Sequence, residues 1–133
     1  MVMNWFTQAS FEPRLVAIGL QRTSFTYGLV REGRKFAVNL FLQDDLEIID
    51  PLTKGREKRP DKMEKVSYSP APETGCPVIE GAAGYIECEV VEIFETGGDH
   101  DIVLGKVVGG EVLKPGEVED TLNLPEVGWS YAG

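Results

Sequence analysis

The stretch Asn4-Trp5-Phe6-Thr7-Gln8-Ala9-Ser10-Phe11-Glu12-Pro13 runs almost directly into the apolar run Leu15-Val16-Ala17-Ile18-Gly19-Leu20. Aromatics, hydroxyls and amides mixed in one short stretch make a poor interior for a hydrophobic core. They suit an extended backbone laid against a flat ring system with a polar rim, where backbone amides and a few polar side chains set orientation. The plainer reading is a polar edge strand anchored on the core by Trp5 and Phe6. Either way the chain starts with a strand, and the apolar run after it is a second one.

Further along, the punctuation keeps to short elements. Arg22-Thr23-Ser24-Phe25-Thr26 reads as a turn into a short helix, with Thr23 or Ser24 as its cap and Gly33 closing it in the left-handed conformation. Lys35 to Leu42 reads as a strand. Asp44-Asp45 then caps a short helical piece from Leu46 to Leu52, broken by Pro51, and a second weak helix spans Asp61 to Val66. Residues 67–81 carry Pro70, Pro72, Gly75 and Pro77 and read as turns. The longest strand candidate is Gly84 to Glu95, with Ile86, Cys88 and Val90 on one face, Glu87 and Glu89 on the other, and a bulge at Val90-Val91. Thr96-Gly97-Gly98-Asp99 forms a hairpin loop, Asp101 to Val108 returns, and Gly109-Gly110 leads to an irregular tail ending in Trp129 and Tyr131. Strands with hairpin punctuation and only brief helices predict a mainly β, antiparallel barrel decorated with short helices. Ile102-Val103-Leu104 is apolar on both faces, so the wall needs cover on both sides. A second copy of the chain, in a homodimer, supplies it.

Composition narrows the function by exclusion. At 133 residues the chain is expected to form a single domain, residues 1–133, with a real core. Its net charge of −9 repels nucleic acid, and the one dense basic patch, Lys54 to Arg59, is interrupted by Glu57 and reads as a solvated loop. No apolar run approaches the roughly 18 residues of a membrane span, and no secretory leader pattern opens the sequence, so a cytoplasmic protein is expected. Cys76 and Cys88 fit neither a zinc pattern nor a redox pair and are expected as buried reduced thiols. The scattered carboxylates show no metal or glycosidase motif, and no glycine-rich dinucleotide fingerprint is present.

The ordered set of Asn4 to Pro13, Phe36-Ala37-Val38-Asn39-Leu40 and Gly98-Asp99-His100 resembles the flavin reductase-like, FMN-binding split-barrel family, over nearly the whole chain. The resemblance implies an antiparallel split β-barrel that binds FMN, or FAD, and uses NADH or NADPH as co-substrate. Taken alone, Arg22-Thr23-Ser24-Phe25-Thr26 is a capped helix; with the resemblance, Arg22, Thr23, Ser24 and Thr26 become the holders of the flavin phosphate, since a guanidinium, hydroxyls and a helix N-terminus are what a dianion needs. Asn4, Trp5, Thr7, Gln8 and Ser10 become contacts of the isoalloxazine ring. Asn39 is a further candidate, or it satisfies backbone groups at a strand end. His100, the single histidine, is implied to stand near the place where nicotinamide stacks, tuning hydride transfer rather than making it possible.

Members of the family carry a further wall strand before the Asn-Trp segment, whereas Met1-Val2-Met3 stands here. Either the sequence starts late or a wall strand is lacking, which would leave an open edge near Asn4. The leading expectation is a hydride-transferring flavin reductase passing electrons to free flavin, a metal centre or a partner protein. The rivals are an FMN electron carrier without a nicotinamide site and a degenerate barrel that no longer holds flavin.

Overall fold

The computed structural model describes residues 1–131. Among the described residues, seven strands and two short α-helices follow one another: β1 (Phe6–Ser10), β2 (Leu15–Gln21), α1 (Phe25–Gly33), β3 (Lys35–Leu40), α2 (Leu46–Ile49), β4 (Tyr68–Pro70), β5 (Pro77–Ile79), β6 (Gly84–Phe94) and β7 (His100–Val112). Five of them form one antiparallel sheet in the order β1-β2-β7-β6-β3, and β4 pairs with β5 in a separate small hairpin. This is the expected mainly β architecture with short helices. Among the described residues no pairing joins β1 to β3, so the sheet stays open, with β1 as one edge near Asn4.

The core follows from alternation. In β2, Val16, Ile18 and Leu20 turn inward while their neighbours are half-exposed, the period-2 pattern of a strand with one buried face. They meet Phe36, Cys88 and Val103 from the neighbouring strands, and Tyr27 and Val30 from α1, which packs across this face. Gly105 is required there: a Cβ on it would stand 2.5 Å from the Phe36 ring. Cys88 is fully buried, and burial pushes its thiol up to about 12; Cys76 is half-buried and equally unpaired.

Ser24 caps α1, its hydroxyl accepting from the Tyr27 amide at 3.1 Å. The left-handed residue at the other end is Arg34 (φ 54°), not Gly33, which remains helical. The Arg34 amide donates back to the Val30 carbonyl at 2.9 Å, and this closing bond needs its residue to reverse the chain one position later than the glycine. Strand β3 stops at Leu40, and Leu42 joins Thr121 by a single bridge instead. The expected second helix is a single 3₁₀ stretch, Lys62–Lys65. β7 outruns its expected end, carrying Gly109 and Gly110 within the strand to Val112.

The region read as turns holds the β4–β5 hairpin, and that hairpin explains a second departure. Glu87 faces away from Cys88 as alternation requires, yet it is 1% exposed because the turn between β4 and β5 covers it. Its carboxylate accepts from the Glu73 amide at 3.1 Å, the Thr74 amide at 2.7 Å and the Thr74 hydroxyl at 2.8 Å. A buried carboxylate is tolerated only with such a set of donors. The β6–β7 register shifts near Val90, where a bulge was expected, and again between Glu87 and Cys88. No helix among the described residues is long and apolar enough to cross a membrane.

Candidate functional site

Pairing of β2 with β7 sets Gln21 opposite His100, so the turn leaving β2 lands beside the loop entering β7. The Arg22 amide donates to the Asp99 carbonyl at 3.0 Å, and its guanidinium donates to the Gly98 carbonyl. Arg22 Nε also lies 4.0 Å from Oδ1 of Asp101. Asp101 is fully buried and is the hub of this junction. It accepts from the Tyr27 hydroxyl at 2.6 Å and from the Thr96 amide at 3.2 Å. The Tyr27 bond, above the smaller help of the Thr96 amide and Arg22, holds the Asp101 carboxyl below the usual carboxylate range; the same bond raises the Tyr27 phenol. Helix α1, the β6–β7 loop and the end of β2 are thereby tied to one carboxylate.

Beside this hub stands an aromatic cluster. Trp5 packs over Gly19, where a Cβ would come within 2.8 Å of the indole, so the glycine lets the ring lie flat on β2. Its ring centroid is 4.5 Å from that of His100. His100 Nδ1 lies 2.8 Å from Asp99 Oδ1, and Nε2 lies 2.6 Å from the Tyr131 hydroxyl. The histidine pairs lower the Asp99 carboxyl, first through the hydrogen bond and then through charge.

Of the residues singled out from sequence, Trp5, Arg22, Thr23, Ser24, Thr26 and His100 gather at this end of the sheet. Thr7, Gln8 and Ser10 continue along β1, whose pairing with β2 leaves its outer row of backbone groups open. Asn4 stands two residues before β1. Ser24 is spent as the cap of α1, while Arg22 keeps 44% of its side chain exposed. The first turn of α1 carries no acidic side chain, which matters in a chain of net charge −9. With the Tyr27 amide taken by Ser24, the Phe25 and Thr26 amides, beyond the reach of intrahelical acceptors, and the hydroxyls of Thr23 and Thr26 fit a phosphate dianion. Asn39 stands apart on β3, at the other edge. Its side-chain amide donates to the Pro77 carbonyl at 3.1 Å and its oxygen accepts from the Ile79 amide at 2.9 Å, fastening β5 to the sheet.

Sequence reasoning missed Asp101, Tyr27 and Tyr131. An aspartate opening an otherwise apolar strand was a signal for the first. The irregular tail gave no sign that Tyr131 folds back onto the His100 loop.

A flavin reductase like domain matches residues 1–124. The chain is 32% identical to a flavin reductase of Pseudomonas putida over 107 residues, covering 80% of this chain and 60% of that protein. It is 31% identical to the reductase subunit of a flavin-dependent monooxygenase of Mycobacterium tuberculosis, covering 77% of this chain and 52% of the relative. Among solved structures, the NADH:FAD oxidoreductase of Streptomyces globisporus superposes with a TM-score of 0.74 at 27% identity, over 83% of this chain and 65% of that one. An FMN-binding protein of Thermus thermophilus superposes with a TM-score of 0.71 at 25% identity, over 83% of this chain and 60% of its own. In each case the chain spans less than two thirds of the relative's length. With the strand order, the capped turn and the His100 loop in place, the chain belongs to the flavin reductase-like domain family.

Proposed function

We propose that the protein is a cytoplasmic, FMN-binding oxidoreductase that takes hydride from NADH or NADPH and passes electrons to free flavin, a metal centre or a partner protein. One observation carries this reading: the Arg22–Thr26 turn, the open edge β1 and the Trp5–His100 pair converge at one end of the sheet in a chain whose family reduces flavin with NAD(P)H. Arg22, Thr23, Thr26 and the first amides of α1 would hold the phosphate, with Ser24 shaping that turn. Asn4, Thr7, Gln8 and Ser10 would offer the ring's polar edge its partners, and Trp5 would wall one side. His100, its ring nitrogens held by Asp99 and Tyr131, would stand beside the nicotinamide and tune hydride transfer. Bound flavin supplies the hydride and electron chemistry itself, so no acid or base need come from the protein. FAD is accommodated by the same residues wherever its shared half is recognised.

Arg22→Ala tests the phosphate assignment. FMN binding should weaken by about 1.5–3 kcal/mol, the range for a hydrogen bond to a charged group, while riboflavin, lacking the phosphate, should change little. Equal losses for both ligands, measured by calorimetric titration, would mean that Arg22 acts only through its bond to Gly98 and its charge near Asp101.

A homodimer forms part of the proposal, with the split barrel completed against a second copy. Val91, Phe94 and Ile102 remain about half exposed on the outer side of β6 and β7. A groove of about 650 Å³ runs beside Leu40, Tyr85, Ile86, Val107 and Val112. A self-complementary contact of about 2,000 Å² or more would cover these surfaces. Light scattering at micromolar concentration should report twice the 14.7 kDa chain mass. A soluble monomer that still holds FMN would rule the dimer out.

A further inference from the structure

We infer that Tyr131 is a positioning residue for His100, its hydroxyl and the Asp99 carboxylate gripping opposite nitrogens of one imidazole. An ionised carboxylate only accepts, so Nδ1, 2.8 Å from Asp99 Oδ1, carries the proton. Whenever the ring is neutral, Nε2 is then its acceptor, and the Tyr131 hydroxyl, 2.6 Å away, donates to it. The neutral form of His100 is thereby set as the Nδ1–H tautomer, the less favoured form of an unconstrained imidazole.

The Asp99 bond is not enough to fix this state. Asp99 is 85% exposed, so water competes for its carboxylate, whereas the His100 side chain is only 12% exposed. Tyr131 closes the side that Asp99 does not reach. Three rings then hold the plane: Trp5 to Tyr131 at 5.4 Å and His100 to Tyr131 at 5.8 Å, both edge-on, with Trp5 tilted over His100. Edge-on contacts are the favoured geometry for aromatic quadrupoles. The tail reaches this place because Gly128 turns it (φ 77°) and the Trp129 amide bonds the Leu124 carbonyl at 2.9 Å.

The inference rests on the proposed role of His100 for its catalytic meaning, but its first test needs no flavin. Nitrogen-15 NMR of the flavin-free protein, at a pH where the imidazole is neutral, should show His100 protonated at Nδ1 and bare at Nε2. Tyr131→Phe, which keeps the ring on Trp5 and removes only the hydroxyl, should lower the Nδ1–H population and broaden the ring signals. An unchanged nitrogen pattern in that variant would overturn the inference. In the flavin-loaded protein, Tyr131→Phe should slow reduction by NAD(P)H about two- to tenfold, the worth of one ordinary hydrogen bond, with KM little changed. A tautomer shift without any such slowing would also overturn it. If no flavin binds, the functional proposal fails while the NMR result still decides how Tyr131 holds His100.

Discussion

Asp101→Ala should lower the thermal midpoint of unfolding by on the order of 10 °C. The carboxylate is fully buried and receives the Tyr27 hydroxyl, the Thr96 amide and the nearby Arg22. Its removal strands the Tyr27 hydroxyl inside the core and releases the loop that carries His100. The same group gives stability a pH dependence of fixed sign. Its carboxyl is held below the usual range, chiefly by the Tyr27 bond. Its contribution is therefore complete above the unfolded value of about 3.9 and disappears as pH falls through the lower folded value. Acid unfolding of Asp101→Ala should lack that component. A variant that melts with the parent at neutral pH would show that the hub carries no load.

His100→Ala should keep its flavin yet reduce it with NAD(P)H roughly ten- to a hundredfold more slowly, about 1.4–2.7 kcal/mol of barrier. The size follows from what the imidazole is asked to do. It tunes a reaction whose hydride chemistry belongs to the cofactor, so its loss slows the step without abolishing it. Stopped-flow reduction under anaerobic conditions measures this directly. An unchanged rate would make His100 a packing partner of Trp5 and Tyr131 and nothing more.

The two predictions concern residues of unequal visibility. The places of His100 and of the Arg22–Thr26 turn were legible because both lie in local order: a lone histidine after a glycine-rich loop, and hydroxyls opening a helix. The same holds for the existence of β2, an apolar run legible as a strand, although which of its side chains point inward emerges only from the fold. Asp101 and Glu87 were not legible, because nothing in the local pattern of an acidic residue in a strand says which distant segment will cover it. Glu87 is buried by a turn from residues 71–76, and Asp101 by a tyrosine on α1.

The β4–β5 hairpin was hidden for a different reason. Pro70 faces Pro77 across it, and prolines, which cannot donate to a ladder, erase the usual signature of a strand. The pairing is sustained from outside by the two bonds of Asn39. Tyr131 shows a third kind of blindness: an aromatic in a tail marks something to be buried, and only the fold decides against which surface.

The central claim is that this chain carries flavin and accepts hydride from a nicotinamide nucleotide. Anaerobic titration of the purified, FMN-reconstituted protein with NADH and then NADPH tests it in one cuvette. Bleaching of the bound-flavin absorbance by at least one of the two, at a rate that falls in His100→Ala, is the predicted result. Flavin that binds but stays oxidised with both nucleotides would contradict the oxidoreductase reading and leave an electron carrier, and a protein that takes up no flavin would contradict the site itself.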